Sequence, residues 1–246
     1  MIVTHYTLAM QGLRRALRVA VVADLHDSAP EELHTQLAIA QPQLVLLPGD
    51  YLDGPGHTEN GLGFLRVCAA RYPTLCSLGN HEVKAGIPDL EAAIAQTGAE
   101  LLADRCVFRQ GIWIGGLSTG WALDQQQSHR RPTPPPNREF IRHFAALDGP
   151  RLLLCHHPEY YRPYLAETSI PLVVSGHAHG GQWQLLGRGI YAPGQGLLPA
   201  YTAGLYDGRL LVSRGLCATR RWIPRIGNPR ELVILDLWPQ EKQNNA

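Results

Sequence analysis

The sequence VAVVADLH at residues 19–26 sets the expected architecture, because five apolar residues lead directly into an aspartate and a histidine. A continuous apolar run of this length is typical of a strand that is buried on both faces of a sheet. Seven more short runs of this kind follow and end in polar residues or glycine. They occupy residues 44–47, 74–78, 112–117, 152–155, 172–174, 210–212 and 232–237. The pattern predicts a protein built around buried strands.

Four helices are predicted between these strands, at residues 31–40, 62–70, 88–97 and 138–147. Gly98 stands where the third helix would end, as glycine often does at a helix C-terminus. Strand and helix alternate in the first half of the chain, and the second half is richer in strand. We therefore expect a layered α/β domain with buried sheets and helices outside.

One domain is expected to span residues 1–246, because a chain of this length with 45% hydrophobic residues can bury one large core. Residues 124–137 contain three consecutive glutamines and four prolines, and they predict a long loop inserted into that domain. The loop is either a lid or binding loop, or a surface insertion, and both readings stay open. Residues 242–246 are polar and predict a frayed tail.

The charge balance argues against a general nucleic-acid binder, because 22 basic residues face 21 acidic ones and give a net charge of +1. Eleven histidines against five cysteines, with no C-x-x-C pair, favour a metal or acid–base site over a disulfide framework. The apolar run at residues 19–23 is too short for a signal peptide, and no stretch reaches the ~20 apolar residues of a transmembrane helix. We expect a cytoplasmic protein.

Five clusters of polar side chains directly follow five of the predicted strands. They are Asp24-Leu25-His26, Gly49-Asp50-Tyr51-Leu52-Asp53-Gly54, Gly79-Asn80-His81-Glu82, His156-His157-Pro158-Glu159 and Ser175-Gly176-His177-Ala178-His179-Gly180-Gly181-Gln182. In open α/β sheets, binding sites form beyond the carboxyl ends of the strands, so the clusters are expected to meet in one pocket. The pairs Asp24/His26 and His177/His179 have the i, i+2 spacing that turns two side chains to the same side.

The chemistry of these clusters favours a pair of divalent metal ions. They contain carboxylates, an amide oxygen and several imidazoles but no thiolate, a set that suits Mn, Fe, Zn, Co or Ni. Seven or eight such groups are too many for one ion. They suit two ions roughly 3.5–4 Å apart, bridged by a carboxylate and a water, which generate hydroxide for an in-line displacement at phosphorus.

The motifs DLH, GDYLD, GNHE, HHPE and GHAHGGQ, in this order, resemble those of the calcineurin-like metallophosphoesterases over about residues 19–182. The last motif, with Arg214-Gly215-Leu216 and Pro229-Arg230-Glu231, is most similar to the YkuE/YaeI-type phosphohydrolase branch. The resemblance implies a four-layer α-β-β-α sandwich with two mixed sheets flanked by helices. It also implies a binuclear-metal-dependent phosphoesterase that hydrolyses phosphomonoesters or phosphodiesters by in-line attack of a metal-bridging hydroxide.

The same resemblance implies a role for each site residue. One ion would be held by Asp24, His26, Asp50 and His179. The other would be held by Asp50, Asn80, His156 and His177, so that Asp50 bridges the two. His81 would protonate the leaving group or stabilise the transition state, with Asp53 orienting it and Asn80 steadying the phosphate oxygens. The family pattern His-x-Pro aligns His156, although the adjacent His157 is an alternative ligand, and manganese is the first expectation for the metal.

Several alternatives remain open at this point. A nuclease on the same site and a catalytically silent scaffold or binding protein on the same fold compete with the phosphoesterase. The substrate would be a phosphate-ester small molecule or a lipid-linked phosphate, with peripheral membrane contact open and nucleic acid not expected. The basic run at residues 214–230 would hold a phosphate or an anionic lipid headgroup, or would be only a solvated face.

Overall fold

The computed structural model describes residues 1–28, 31–122, 133–217 and 224–240, and these contain two six-stranded mixed sheets. In chain order, the strands are β1 (Ile2–Met10), β2 (Leu17–Val21), β3 (Leu44–Leu47), β4 (Thr74–Cys76), β5 (Glu100–Leu101), β6 (Arg105–Arg109), β7 (Ile112–Leu117), β8 (Arg151–Cys155), β9 (Val173–Ser175), β10 (Gln184–Leu185), β11 (Arg188–Gly189), β12 (Tyr191–Ala192), β13 (Gly196–Leu197), β14 (Gly204–Tyr206), β15 (Leu210–Val212) and β16 (Glu231–Pro239). The helices are α1 (Glu31–Ala40), α2 (Glu59–Ala69), α3 (Asn80–Lys84), α4 (Leu90–Ala95) and α5 (Arg138–Ala145), and single helical turns cover Gly120–Ala122, Pro158–Tyr160, Tyr161–Leu165 and His179–Gly181. The predicted tail and most of the predicted loop at residues 124–137 lie outside the described residues.

In each sheet, the parallel strands bring the carboxyl ends that precede the polar clusters to one edge. The first sheet has the spatial order β1-β16-β2-β3-β4-β5, and the second has the order β14-β15-β9-β8-β7-β6. Strands β2 to β5 are parallel neighbours, and so are β7, β8, β9 and β15. Parallel neighbours point their carboxyl ends the same way, so the loops after β2, β3 and β4 share one edge, as do those after β8 and β9.

The alternation of side chains along each strand explains the layers. In β2, Val19 and Val21 pack into the core between the two sheets, while Ala20 packs with α1 and α2 on the outer face. In β8, Leu154 lies in the core between the sheets and Leu153 packs against α5. The order of layers is helices, sheet, sheet, helix, which confirms the predicted α-β-β-α sandwich.

The eight predicted strands and four predicted helices are all present, with shifts of up to three residues at their ends. Capping side chains account for two of the helix starts. Asp89 accepts a hydrogen bond from the backbone N–H of Ala92 at the start of α4, and Asn137 does the same for the first turn of α5. None of the helices in the described ranges is long and apolar enough to cross a membrane.

Eight strands and helix α3 were not predicted, and six of these strands, β5 and β10 to β14, have only two or three residues each. Strands β1 and β6 each form one edge of a sheet, so each pairs on one side only and mixes exposed with partly buried residues. Polar residues therefore interrupt the apolar runs that reveal the central strands. Helix α3 has only five residues and begins inside the GNHE motif, where the sequence has no apolar periodicity.

Candidate metal centre

The predicted ligands lie in the loops that follow five strands, three in one sheet and two in the other. Asp24 and His26 follow β2, Asp50 follows β3, and Asn80 follows β4. In the second sheet, His156 follows β8, and His177 and His179 follow β9. All seven side chains are buried, and the structure brings the six aspartates and histidines together where the loops of the two sheets meet. Asn80 directly precedes His81, whose backbone N–H donates to Asp50 of this group.

The backbone of this region adopts an uncommon conformation. Five of the seven residues have φ between 46° and 64°, in the left-handed region that non-glycine residues rarely occupy. They are Asp24, His26, Asp50, His177 and His179. Each such residue costs on the order of 1–3 kcal/mol, and residues of this kind concentrate at active sites and ligand sites, where the surrounding structure holds them. The strain therefore marks the strand ends as a functional site.

Asp50 is the central carboxylate of the cluster. Its Oδ2 lies 3.1 Å from Nε2 of His156 and 3.7 Å from Nε2 of His26, while its Oδ1 accepts a hydrogen bond from the backbone N–H of His81 at 2.9 Å. Burial alone would raise the pKa of Asp50, but the positive charges of His156 and His81 hold that pKa well below its usual value. Asp50 therefore stays ionised between histidines from both sheets.

Asp24 joins the first sheet to the loop after β9. Its Oδ1 accepts a hydrogen bond from the backbone N–H of His177 at 2.8 Å. Asp24, His26 and His179 bring one ligand atom each within 4.8 Å of one another, and so do Asp24, Asp50 and His156. Nδ1 of His179 donates to the backbone carbonyl of Cys217 at 3.0 Å, which leaves its other nitrogen for a ligand.

Buried atoms without partners test whether these residues fit a metal. Oδ2 of Asp24, Nε2 of His26, Oδ1 of Asn80 and Nδ1 of His156 are all buried and have no hydrogen-bond partner among the described residues. An unpaired buried polar atom is costly, so four in one cluster require an explanation. Carboxylate, amide and imidazole donors of this kind suit a borderline divalent ion. The residues therefore fit a metal site.

Comparison with known proteins gives the family. The sequence model of the calcineurin-like phosphoesterases matches residues 17–181 of the chain. The chain belongs to the calcineurin-like phosphoesterase family. An uncharacterized metallophosphoesterase of Campylobacter jejuni is 28% identical over 243 residues, which cover 92% of this chain and 60% of that protein. The chain therefore spans less than two thirds of the length of this relative.

Two further comparisons agree with this family. The uncharacterized metallophosphoesterase YkuE of Bacillus subtilis is 28% identical over 207 residues, which cover 80% of this chain and 68% of YkuE. The crystal structure of a putative 5'-nucleotidase from Staphylococcus aureus aligns with a TM-score of 0.52 and 13% identity over 94% of this chain and 56% of that one. At this identity, the second comparison supports the fold only. The family is metal-dependent, and the histidine and aspartate clusters of this chain could bind the metal.

His81 lies beside the metal-binding cluster and is held by Asp53. Nδ1 of His81 donates to the backbone carbonyl of Asp53 at 2.7 Å and lies 3.2 Å from its Oδ1. The same Oδ1 lies 3.0 Å from Nδ1 of His26, so Asp53 orients two imidazoles. Burial alone would lower the pKa of His81, but the charge of Asp50 and the hydrogen bonds to Asp53 raise it to about 9. His81 thus carries a proton at neutral pH.

The two adjacent histidines have separate surroundings. Nε2 of His156 lies 3.1 Å from Oδ2 of Asp50 and 3.1 Å from Nδ1 of His177, inside the cluster. His157 is equally buried, with Nε2 at 2.7 Å from the hydroxyl of Thr119 and Nδ1 at 3.3 Å from Oε1 of Glu159. It forms a three-histidine cluster with His156 and His177, but only His156 of the adjacent pair contacts Asp50. The geometry favours His156 as the ligand.

Glu82 and Glu159 were quoted within the motifs but given no role, and the structure shows what each contacts. The carboxylate of Glu82 accepts backbone N–H bonds from Asp50, Leu52 and Gly79, at 2.8–2.9 Å. Burial and the nearby Asp50 carboxylate raise the pKa of Glu82 to about 7. Glu82 therefore ties the loop after β3 to the loop after β4. No pattern in the sequence indicates this, because the bonds depend on tertiary contact.

Glu159 reaches the cluster from the opposite side. Its Oε1 lies 3.9 Å from Nε2 of His177 and accepts a hydrogen bond from the hydroxyl of Thr133 at 2.8 Å. Thr133 belongs to the described end of the predicted loop, so that end of the segment lies beside the candidate metal centre. Residues 124–132 of the predicted loop lie outside the described residues.

The backbone comes unusually close to the two aspartates. A Cβ atom on Gly79 would overlap Oδ1 of Asp50, and one on Gly215 would lie 2.5 Å from Oδ2 of Asp24. Gly215 also has φ of +69°, which favours glycine for a second reason. These glycines let neighbouring loops close over the carboxylates.

The basic run divides into residues with different surroundings. The guanidinium of Arg225 donates to the backbone carbonyls of Arg214, Gly215, Cys217, Asn228 and Pro229, at 2.6–3.3 Å. Arg225 is therefore committed to protein carbonyls. Arg214 contacts Glu231 at 3.8 Å, Arg230 is exposed, and Arg220 and Arg221 lie outside the described residues.

Proposed function

We propose that this protein is a binuclear-metal-dependent hydrolase of phosphomonoesters or phosphodiesters. The observation that carries the proposal is the convergence of seven buried carboxylate, amide and imidazole side chains at strand ends of both sheets, five of them in a strained conformation. Membership of the calcineurin-like phosphoesterase family supports the same reaction class.

The proposed ligand sets follow the two sides of Asp50. Asp24, His26 and His179 form one group with Asp50, and Asn80, His156 and His177 form the other. Two of the three-residue clusters support this division, since Asp24, His26 and His179 form one, and His156 and His177 belong to another together with His157. A third cluster of Asp24, Asp50 and His156 lies across the two groups, on either side of the central carboxylate. Two divalent ions held there, with manganese the first candidate, would acidify water and neutralise phosphate charge.

The chain's own residues supply the remaining chemistry. His81 is protonated and lies beside the ligand groups, so it donates its proton to the leaving-group oxygen as the bond to phosphorus breaks. Asp53 fixes the orientation of His81 through Nδ1, which leaves Nε2 as the donor. We assign the amide of Asn80, whose buried Oδ1 has no hydrogen-bond partner among the described residues, to bind a metal and to steady a phosphate oxygen.

The first test measures metal content together with hydrolysis of p-nitrophenyl phosphate and bis-p-nitrophenyl phosphate, with Mn²⁺ added. The proposal expects about two ions per chain, as in binuclear sites, and Mn²⁺-stimulated cleavage of one or both esters. The ratio of the two rates gives the preference for monoester or diester. A protein that holds no metal and cleaves neither ester would contradict the proposal.

Two variants separate binding from chemistry. Asp50→Asn removes the central carboxylate charge and should lose bound metal, whereas His81→Ala should keep the metal and lose about a hundredfold or more in turnover, the usual scale for general acid catalysis. Metal content by elemental analysis and turnover on the better ester check both. Full turnover in His81→Ala would remove the assigned role of His81, and two ions in Asp50→Asn would remove the bridging assignment.

A further inference from the structure

Two short hairpins beside the metal centre carry exposed leucines. Strands β10 and β11 form the first hairpin, and β12 and β13 form the second. The exposed fractions of the leucines are 65% for Leu185, 97% for Leu186, 76% for Leu197 and 81% for Leu198. Single exposed leucines are normal on protein surfaces, but four on adjacent hairpins form a patch that indicates binding.

Two of these leucines occupy backbone positions that disfavour them. Leu186 has φ of 50° in the turn between β10 and β11, and Leu198 has φ of 52° directly after β13. Asparagine or glycine fits such positions at lower conformational cost, and a polar residue would also avoid exposing an apolar side chain. Leu186 and Leu198 are also the two most exposed large hydrophobic residues in the described part of the chain. Folding favours neither leucine, so another role must.

Aromatic and aliphatic side chains surround the leucines. Trp183, Tyr191 and Ile226 are 37%, 42% and 59% exposed. The backbone N–H of Gln184 donates to the carbonyl of Ile226, and that of Leu198 donates to the carbonyl of Ile190, so the segments are held together. We call this surface the leucine face; it consists of Trp183, Leu185, Leu186, Tyr191, Leu197, Leu198 and Ile226.

The stretch of sequence that carries the leucine face is poor in acidic residues. Residues 168–230 contain seven arginines and a single acidic residue, Asp207, although the whole chain has 22 basic and 21 acidic residues. Arg209, Arg214 and Arg225 contact other protein groups, and Arg220 and Arg221 lie outside the described residues. Arg188 is exposed and pairs with Leu185 across the first hairpin. No aspartate or glutamate occurs from residue 168 to residue 206. The leucine face therefore combines apolar tips with the exposed guanidinium of Arg188, and the sequence of both hairpins contains no acidic residue.

We propose that the leucine face docks onto an anionic lipid bilayer. Leucine side chains enter the boundary between headgroups and acyl chains, tryptophan and tyrosine favour the same depth, and arginine is attracted to anionic headgroups. A bilayer accepts protruding tips without a complementary groove. A second copy of the chain or a protein partner would need a surface shaped to these tips, so the lipid surface is the occupant that the geometry favours.

Docking would also bring the metal centre to the lipid surface. Gly194 lies in the turn between β12 and β13, and a Cβ atom there would overlap Oε1 of Glu159 and lie 3.3 Å from Nε2 of His177. The hairpin that carries Leu197 and Leu198 thus touches the ligand cluster directly. The proposal concerns binding alone and stands or falls independently of the reaction that the centre catalyses.

The test is co-sedimentation of the full chain with phosphatidylcholine vesicles, with and without phosphatidylglycerol. The protein should bind the anionic vesicles and release as salt increases. The double variant Leu186→Asn/Leu198→Asn should lower the ratio of bound to free protein at least about tenfold, since each leucine buried in lipid contributes more than ~1 kcal/mol. Asparagine tolerates positive φ, so the melting temperature of the double variant should not fall below that of the parent protein.

Matched controls make the result specific. Ile39 on α1 is 69% exposed and distant in sequence from the leucine face, so Ile39→Gln should bind vesicles as the parent protein does. Arg188→Gln should weaken binding to anionic vesicles. Failure of the parent protein to bind anionic vesicles would overturn the proposal, and so would full binding by the double leucine variant. A parent dimer that the double variant converts to monomer, without vesicle binding, would instead assign the face to a second copy.

Discussion

At the scale of single residues, the site depends on side chains that hold a strained backbone. Asp24, Asp50 and His177 adopt left-handed backbone conformations that these residues rarely occupy in an unfolded chain. Backbone hydrogen bonds offset part of this cost, since Asp24 accepts one from His177 and Glu82 accepts one from Asp50. The residues that position the ligands are therefore as important to the site as the ligands.

Glu82→Gln tests this positioning role. In this variant the N–H₂ group of the amide would face backbone N–H donors that the carboxylate of Glu82 accepts in the parent protein. At least one donor would lose its acceptor, so the free energy of unfolding should fall by about 1–3 kcal/mol. Metal affinity should fall as well, because the loop that carries Asp50 loses its support. Urea unfolding and metal titration measure the two effects.

Glu91→Gln is the control for that change. Glu91 is exposed, and within the described residues its ion pair is with the exposed Arg105. Its unfolding free energy should change by less than about 0.5 kcal/mol. If Glu82→Gln were as stable and as metal-rich as Glu91→Gln, Glu82 would have no positioning role.

At the scale of elements, the described residues between β15 and β16 converge on one arginine. Arg225 binds carbonyls on both sides of the gap in the described chain, including that of Cys217, which also accepts from Nδ1 of His179. Burial lowers the pKa of Arg225 to about 10, which still leaves the guanidinium charged at neutral pH. This arginine closes the segment beside the candidate metal centre.

Arg225→Ala distinguishes a structural arginine from a phosphate-binding one. Several carbonyls would lose their donor, so the free energy of unfolding should fall by about 1–3 kcal/mol. Arg230 is exposed, so Arg230→Ala should change the free energy of unfolding by less than about 0.5 kcal/mol. Unfolding curves and steady-state kinetics are the measurements. Unchanged stability with a raised KM in Arg225→Ala would mean that Arg225 binds substrate phosphate instead.

At the scale of the whole molecule, the proposed ligands connect the two sheets. Asp50 comes from the first sheet and His156 from the second, and their side chains meet 3.1 Å apart. An ion bound between them binds the folded chain and not the unfolded one. Metal binding should therefore stabilise the entire sandwich rather than one loop.

A melting experiment with Mn²⁺ tests this coupling. At a hundredfold excess over Kd, the ion should add about 3 kcal/mol of stability, which raises Tm by several degrees. Chelation should reverse the shift. Asp50→Asn should show little or no rise, and an equal rise in that variant would place the stabilising ion elsewhere in the molecule.

The sequence alone determined the layered α/β class, the central strands and the five polar clusters that follow them, because buried parallel strands have continuous apolar runs. It also indicated that the clusters meet, since the carboxyl ends of parallel neighbours share an edge. The tertiary structure alone decided that β16 inserts between β1 and β2, that His156 faces Asp50 while His157 faces Thr119, and that Glu82 and Arg225 act as supports. These features depend on contacts between residues far apart in the chain, and local patterns of hydrophobicity and motif spacing carry no record of such contacts.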